Sequence, residues 1–243
     1  MTAGGAVSPY ARSAELYDAV YAWKDYAAEA EALHGIIQEH LRSGGNRLLD
    51  VACGSGRHLA HLAEHYRVAG VDLDPTLLEM ARRAVPAAEL YAGDMTSFDL
   101  GRRFDAVTCL FSAIGYMRTE PRLRQAVANL ARHLEPGGVM VVEPWLAREV
   151  VRDRYLHLDV VDGPDLKVAR GARTLVEGDG CVLEFSYLVL RPDGPEHFVE
   201  RHELGLFTVE QTLDAFRAAG LDPIHDPHGL AGRGLYVATR PRA

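Results

Sequence analysis

A doubly wound α/β fold, with a mostly parallel sheet and an antiparallel insert, is what the sequence predicts, on three observations. Strand-like and helix-like segments alternate between residues 47 and 143. The strand cores LLDVA (48–52), AVTCLF (106–111) and VMVVE (139–143) are near-continuous apolar runs with no polar face, the pattern of a sheet covered on both sides. Beyond Trp145 the helices stop, and four strand-like runs follow one another across turn residues.

The elements follow in order. Residues 25–41 keep Ala30, Leu33, Ile37 and Leu41 on one helical stripe, and Ser43-Gly44-Gly45 is expected to stop it. Strands are expected at 47–52, 68–72, 89–91, 104–111 and 138–143, with helices at 58–65, 77–84 and 122–133 between them, the rhythm of a parallel sheet with right-handed crossovers. The runs 155–161, 167–176, 182–191 and 197–206 are linked by Asp162-Gly163-Pro164-Asp165, Glu177-Gly178-Asp179-Gly180 and Arg191-Pro192-Asp193-Gly194-Pro195, which is hairpin chemistry. Thr208 can cap a helix carrying Val209, Leu213, Phe216 and Ala219 and ending at Gly220; strands at 223–225 and 234–239 close the chain. The expected organisation is one domain, 1–243, with a core of 1–145 and 208–243 and an antiparallel insert, 146–207, over the carboxyl ends of the core strands.

Composition narrows the function classes. With 26 Lys and Arg against 34 Asp and Glu, the net charge of −8 disfavours a nucleic-acid partner, because phosphate contacts need clustered cations. The chain is 48% hydrophobic and 25% charged, an ordinary globular balance. No apolar run approaches the roughly 20 residues that span a bilayer, and the first ten residues lack the basic region and apolar stretch of a secretory leader. No membrane association is therefore expected, and the cytoplasm is the expected compartment. Cys53, Cys109 and Cys181 are odd in number and widely spaced, so they read as reduced, packed thiols.

The sharpest chemical signal is LLDVACGSGRHL (48–59), a strand running through a Gly-rich turn into a helix. Small residues at Ala52, Gly54 and Gly56 let the backbone approach a ligand, and the helix N-terminus offers unpaired N–H groups. Two cofactors compete for it. A dinucleotide fingerprint needs a third glycine where Leu59 stands. S-adenosylmethionine brings no pyrophosphate, but it brings an α-ammonium, which Asp50 near the strand end answers. Asp72, in Val71-Asp72-Leu73-Asp74, lies about 20 residues beyond the turn, where a ribose-binding acid belongs under either cofactor. Gly93-Asp94-Met95 after the third strand discriminates, since a carboxylate accepts from the adenine amino group and a thioether packs on the ring. Each acid alone reads equally as a cap or turn residue. At the ends of three successive strands they form a cleft suited to a sulfonium and poorly suited to phosphates. His58, His61 and His65 lie on neighbouring turns of one helix and read as a solvated edge; with no third ligand indicated, no metal is expected.

Together the runs LLDVACGSGRHL, GVDLDPTLLEMAR (70–82), GDM (93–95), FDAVTCLFSAIGYM (104–117) and HLEPGGVMVVEPW (133–145) resemble a class I S-adenosylmethionine-dependent methyltransferase. A narrower likeness extends over nearly the whole chain, through Tyr17-Asp18, Lys24-Asp25-Tyr26, Glu143-Pro144-Trp145, Leu206-Phe207 and Gly232-Arg233-Gly234-Leu235. It is to the N,N-dimethyltransferases that act on TDP-linked 3-amino-deoxysugars in the desosamine and mycaminose pathways of antibiotic biosynthesis. The resemblance implies a Rossmann-like sheet of seven strands with the last antiparallel, an insert acting as a lid, and a homodimer. It implies that Tyr17, Asp50, Ala52, Gly54, Gly56, Asp72, Leu73, Asp94, Met95 and Leu110 line the cofactor, S-adenosylmethionine, which leaves as S-adenosylhomocysteine. Tyr10, Glu143, Trp145 and Arg233 would face a nucleotide-linked amino sugar, with Tyr10 and Tyr116 as the catalytic pair orienting the amine. Arg233 between glycines reads otherwise as a plain turn residue. Rival readings are an O-methyltransferase acting on another small molecule, a non-catalytic S-adenosylmethionine-binding partner, and an NAD-dependent oxidoreductase.

Overall fold

The computed structural model describes Tyr10 and residues 12–242; the rest of the N-terminal stretch read above for a leader lies outside them. A 3-10 turn at Ala14–Leu16 leads into a one-turn helix, α1 (Tyr17–Val20), neither of them long enough to leave a periodic signal. Helix α2 (Tyr26–His40) is capped by Asp25, whose side chain accepts the Ala28 N–H at 3.0 Å. It buries Tyr26, Ala30, Leu33 and Ile37 and ends where Leu41 turns extended, ahead of the Ser43-Gly44-Gly45 expected to stop it.

The alternating segment follows as β1 (Arg47–Val51), α3 (Arg57–Leu62), β2 (Arg67–Asp72), α4 (Pro75–Ala84), β3 (Glu89–Ala92), β4 (Phe104–Cys109), α5 (Glu120–Arg132) and β5 (Leu134–Val142). Asp74 caps α4, accepting from the Thr76 and Leu77 N–H groups ahead of Pro75 at the first helical position. After the insert, α6 (Val209–Ala218) starts on a Thr208/Gln211 capping box, and β10 (Asp222–Asp226) and β11 (Leu235–Thr239) complete a seven-stranded sheet in the order β10-β11-β5-β4-β1-β2-β3. β10–β11 and β11–β5 are antiparallel and the other pairs parallel, which is the expected fold class.

Successive strand residues point to opposite faces, and the core divides accordingly. Leu48, Val139 and Val141 pack with Leu33 and Ile37 of α2 and Leu59 of α3; Leu49, Met140 and Val142 pack with Leu123 and Leu130 of α5 and Phe216 of α6. Burying a side chain of this size stabilises the fold by about 1.5–3 kcal/mol, so double coverage is what makes fully apolar strands affordable in water. Chain order reverses between β1 and β4, and open α/β sheets bind ligands outside the carboxyl ends of the strands at such a point.

The insert is a second sheet in the order β6-β7-β8-β9, built from β6 (Leu156–Asp162), β7 (Lys167–Glu177), β8 (Gly180–Arg191) and β9 (Gly194–Gly205), all antiparallel. Its inner face lays Val168, Phe185, Tyr187, Val189 and Phe198 on Leu16 and Val20. Arg170 is buried there, donating to Asp159 Oδ2 at 2.6 Å and 2.8 Å and to the Tyr21 hydroxyl at 2.8 Å, so it ties the insert to the N-terminal segment. The outer face carries Leu156, Leu158, Val160, Leu188, Leu190 and Val199, all exposed. Cys53, Cys109 and Cys181 are buried free thiols.

Candidate active site

The turn after β1 opens a crevice of about 950 Å³, mouth included. Ala52 holds φ 61°, a conformation a small side chain tolerates, and its N–H and that of Cys53 both donate to the Val71 carbonyl. The next N–H, of Gly54, donates to Asp72 Oδ2 at 2.8 Å, while Asp72 Oδ1 accepts the Asp74 N–H at 2.8 Å. Asp72 is thereby fixed on the rim, with lone pairs left for ligand hydroxyls. Burial pushes its carboxyl up, and the backbone hydrogen bonds offset part of that. Gly56 is placed otherwise than expected. A Cβ there would lie 3.1 Å from the Ala81 Cβ, so this glycine lets α3 pack on α4 and does not border the crevice.

Tyr17, Ala52, Gly54, Asp72, Leu73, Asp94, Met95 and Leu110 do border it, beside Leu77, Phe111, Met117 and Arg122, which the sequence reading did not single out. Asp94 Oδ1 accepts the Thr96 N–H and hydroxyl at 2.8 and 2.7 Å, and Oδ2 stands 3.6 Å from an Arg122 guanidinium nitrogen. Burial opposes its ionisation, but the Thr96 donors and Arg122 outweigh it and hold the carboxyl below its usual range.

Asp50 sits in an adjoining recess with Tyr17, Tyr26, Arg57 and His58. Its Oδ1 accepts the Thr108 hydroxyl at 2.7 Å, and burial pushes its carboxyl up to about 6 despite His58 and Thr108. His58 is no solvated edge residue: it is buried, its Nε2 2.9 Å from Glu29 Oε2, and Glu29 also pairs with buried Lys24. Helical spacing alone did not reveal this, because the partners come from α2 and from the loop before it. His65, on the outer part of the same segment, pairs with Glu31 at 2.8 Å and stacks on His34.

The far end of the crevice is closed by Tyr10 and Tyr116, whose hydroxyls are 3.0 Å apart. Tyr116 also meets His202 Nδ1 at 2.7 Å, a partner from β9 that no sequence spacing signals. Across the loop 110–117 lies a second cavity, of about 780 Å³, bordered by Trp145, Phe207, His225 and Arg233. Arg233 donates to Ser112 Oγ at 2.9 Å and lies over the Phe111 ring, and the Trp145 indole N–H points at Cys181 Sγ, 3.2 Å away. Phe111 and Ser112, between the cavities, have φ of 50° and 67°, a strained pair held by Glu143 and Pro144. Glu143 corrects an expectation here. It is fully buried beneath that loop, accepting the Phe111 N–H at 2.6 Å, and borders neither cavity.

The donor set fits S-adenosylmethionine. Three carboxylates stand at the ends of β1, β2 and beyond β3, a buried anion at Asp50 suits an ammonium, Arg57 beside it suits a carboxylate, and Met95 and Leu110 offer an apolar lining for a base.

The comparisons agree with this geometry. A methyltransferase-domain family model matches residues 48–138. The chain is 43% identical over 240 residues to the dTDP-3-amino-3,6-dideoxy-alpha-D-glucopyranose N,N-dimethyltransferase of Streptomyces fradiae, spanning 97% of this chain and 94% of that one. Among solved structures it is 41% identical to DesVI of Streptomyces venezuelae, with a TM-score of 0.88 over 94% of this chain and 98% of that one. It is likewise 41% identical to CalS10, an amino pentose methyltransferase from Micromonospora echinaspora solved with S-adenosylmethionine bound, at a TM-score of 0.85 over 93% and 96%.

Proposed function

Since the chain belongs to the S-adenosylmethionine-dependent methyltransferases, in the family of the dTDP-amino-deoxysugar N,N-dimethyltransferases, we propose that it methylates the amine of a dTDP-linked amino-deoxysugar of antibiotic biosynthesis. The observation that carries this reading is the pair of cavities on either side of the loop 110–117. One is lined with carboxylates; the other is flanked by an arginine and a tryptophan, which suit a diphosphate and a flat base.

S-adenosylmethionine, when bound, supplies an electrophilic methyl group. Asp50 would hold its ammonium, Asp72 its ribose, and Asp94 with Met95 its adenine. The chain's remaining tasks are to align the acceptor and to exclude water, because an in-line displacement by a neutral amine needs orientation above all. Tyr10 and Tyr116 orient the nitrogen, and Arg233 and Trp145 hold the nucleotide. Residues 146–207 act as the lid over this acceptor side, joined to the core by Trp145, Tyr116 and Leu204.

The enzyme works as a cytoplasmic homodimer. What supports the dimer is the outer face of the insert, where Leu156, Leu158 and Val160 of β6 share one exposed face with Leu188 and Leu190 of β8 across Ala169 and Gly171 of β7, an apolar patch of the kind that protein partners cover. The test of function is product mass. Purified protein with S-adenosylmethionine and a dTDP-amino-deoxysugar should yield product heavier by one and then two methyl groups, and transfer to a hydroxyl, or none, would sink the reading.

A further inference from the structure

Glu200, His202, Tyr116 and Tyr10 form one continuous line from the interior of the insert to the closed end of the crevice. Glu200 Oε1 accepts the N–H groups of Arg12 and Ser13 at 2.9 and 3.0 Å, fixing the N-terminal segment that carries Tyr10. Glu200 Oε2 faces His202 Nε2 at 3.7 Å, and neither atom has a hydrogen-bond partner among the described residues. A carboxylate on that side favours the proton on Nε2, which leaves Nδ1 as acceptor for the Tyr116 hydroxyl at 2.7 Å. The Tyr10 and Tyr116 hydroxyls, 3.0 Å apart, can bond in either sense, and with the Tyr116 proton given to Nδ1 its oxygen is left to accept from Tyr10.

The two phenols cannot serve as bases. Burial raises both well above the ordinary tyrosine value, so they stay protonated at neutral pH. A hydroxyl of this kind passes a proton on while accepting another. Glu200, by contrast, remains an anion: burial opposes its ionisation, but His202 and the Ser13 and Arg12 donors hold it below the usual carboxylate range. The titratable groups facing the imidazole are thus Glu200 from its own strand, Tyr116 from the 3-10 turn at Ala113–Met117 and Tyr10 from the N-terminal segment, with the Phe185 ring of β8 edge-on at 5.0 Å.

We propose that His202 is the proton acceptor of this reaction, drawing the proton off the acceptor amine through the Tyr10 and Tyr116 hydroxyls. The inference rests on the amine reading above. Each methyl transfer forms an N–C bond as the sulfonium S–C bond breaks, its electron pair staying on the sulfur. The positive charge passes to the nitrogen, which then holds one proton too many, and a second transfer to the same nitrogen requires that proton to leave. It passes from nitrogen to Tyr10 oxygen, the Tyr10 proton to Tyr116 oxygen, and the Tyr116 proton to His202 Nδ1. The imidazolium so formed sits beside the Glu200 carboxylate, and charge is conserved at every step. His202 touches no substrate; it is a positioning and proton-accepting residue that acts through Tyr116.

His202→Asn tests this, because its amide oxygen can still accept from Tyr116 but cannot take up a proton, and Glu200→Gln keeps the caps on Arg12 and Ser13 while removing the charge. Both variants should titrate S-adenosylhomocysteine like the wild type. At pH 7 they should accumulate monomethyl product, with the second transfer slowed about tenfold and the acidic limb of its kcat profile moved up by about one pH unit, and alkaline buffer should restore dimethylation. Nitrogen NMR of the unliganded protein should show His202 protonated on Nε2. Wild-type product partition and pH profile in His202→Asn, an equal loss at every pH, or a proton on Nδ1 would overturn the relay. A wild-type second transfer with no acidic limb would overturn it whatever the variants do. Wild-type protein that leaves dTDP-amino sugars unmethylated would instead remove the amine reading itself.

Discussion

Asp72 and Gly54 meet across the first two strands, the carboxylate of one accepting the backbone N–H of the other at 2.8 Å. The contact joins the end of β2 to the Gly-rich turn after β1, so the acid that would hold the ribose also shapes the loop that would approach the methionine portion. Gly54 and Asp74 hold one oxygen each of Asp72, whereas Thr96 fixes a single oxygen of Asp94 and leaves the other beside Arg122.

Asp72→Ala and Asp94→Ala should therefore each weaken S-adenosylmethionine binding by about 1–3 kcal/mol, the cost of a lost buried polar partner. The effect should be larger at Asp72, which also releases the Gly54 turn. Calorimetric titration of both variants measures it, and unchanged affinity in both would mean that the cofactor lies elsewhere.

The Asp50 carboxyl is pushed up to about 6 by burial, above the roughly 3.9 of an unfolded chain. Between about pH 4 and 6 the folded protein holds a proton that the unfolded chain has lost, so stability falls as pH rises through this window and stays lowered above it. Asp50→Asn removes that cost and keeps an acceptor for Thr108. The cofactor-free variant should be more stable at pH 7.5 by about 1–3 kcal/mol, several degrees in Tm for a chain of this size. It should also bind S-adenosylmethionine more weakly. Thermal melts with and without cofactor decide it, and a lower Tm for the cofactor-free variant would contradict the account.

Arg233 is held by Ser112 and the Phe111 ring at the edge of the second cavity. Arg233→Ala should raise KM for the dTDP-sugar and leave kcat nearly unchanged, the signature of lost uniform binding. Steady-state kinetics on the nucleotide sugar and on the free amino sugar test it; a fall in kcat alone would argue against a diphosphate contact.

Tyr116→Phe keeps the ring and removes the hydroxyl shared by Tyr10 and His202. The expected loss in kcat is about tenfold, or about 1.4 kcal/mol, and not inactivation, because the remaining contacts still align the reactants. Single-turnover rates at saturating substrate would show it.

The exposed apolar face of the insert gives a test of assembly. Leu158→Glu with Leu188→Glu should convert a dimer into a monomer in sedimentation without changing S-adenosylmethionine affinity, since both side chains point away from the crevice. A wild-type monomer would remove the dimer proposal.

Local chemistry made much of this protein legible in its sequence. Apolar runs can be buried only in a sheet covered on both faces, hairpin links cannot make parallel crossovers, and the acids at Asp50, Asp72 and Asp94 recur at strand ends because the fold brings those ends to one edge. What depends on side chains from distant segments was decided by tertiary packing. Gly56 packs against Ala81, Glu143 lies under Phe111, His58 is buried against Glu29, and His202 reaches Tyr116 from another sheet. Spacing along the chain records which residues share a face of one element; it carries no record of which element packs against that face, and buried polar groups take their roles from that second fact.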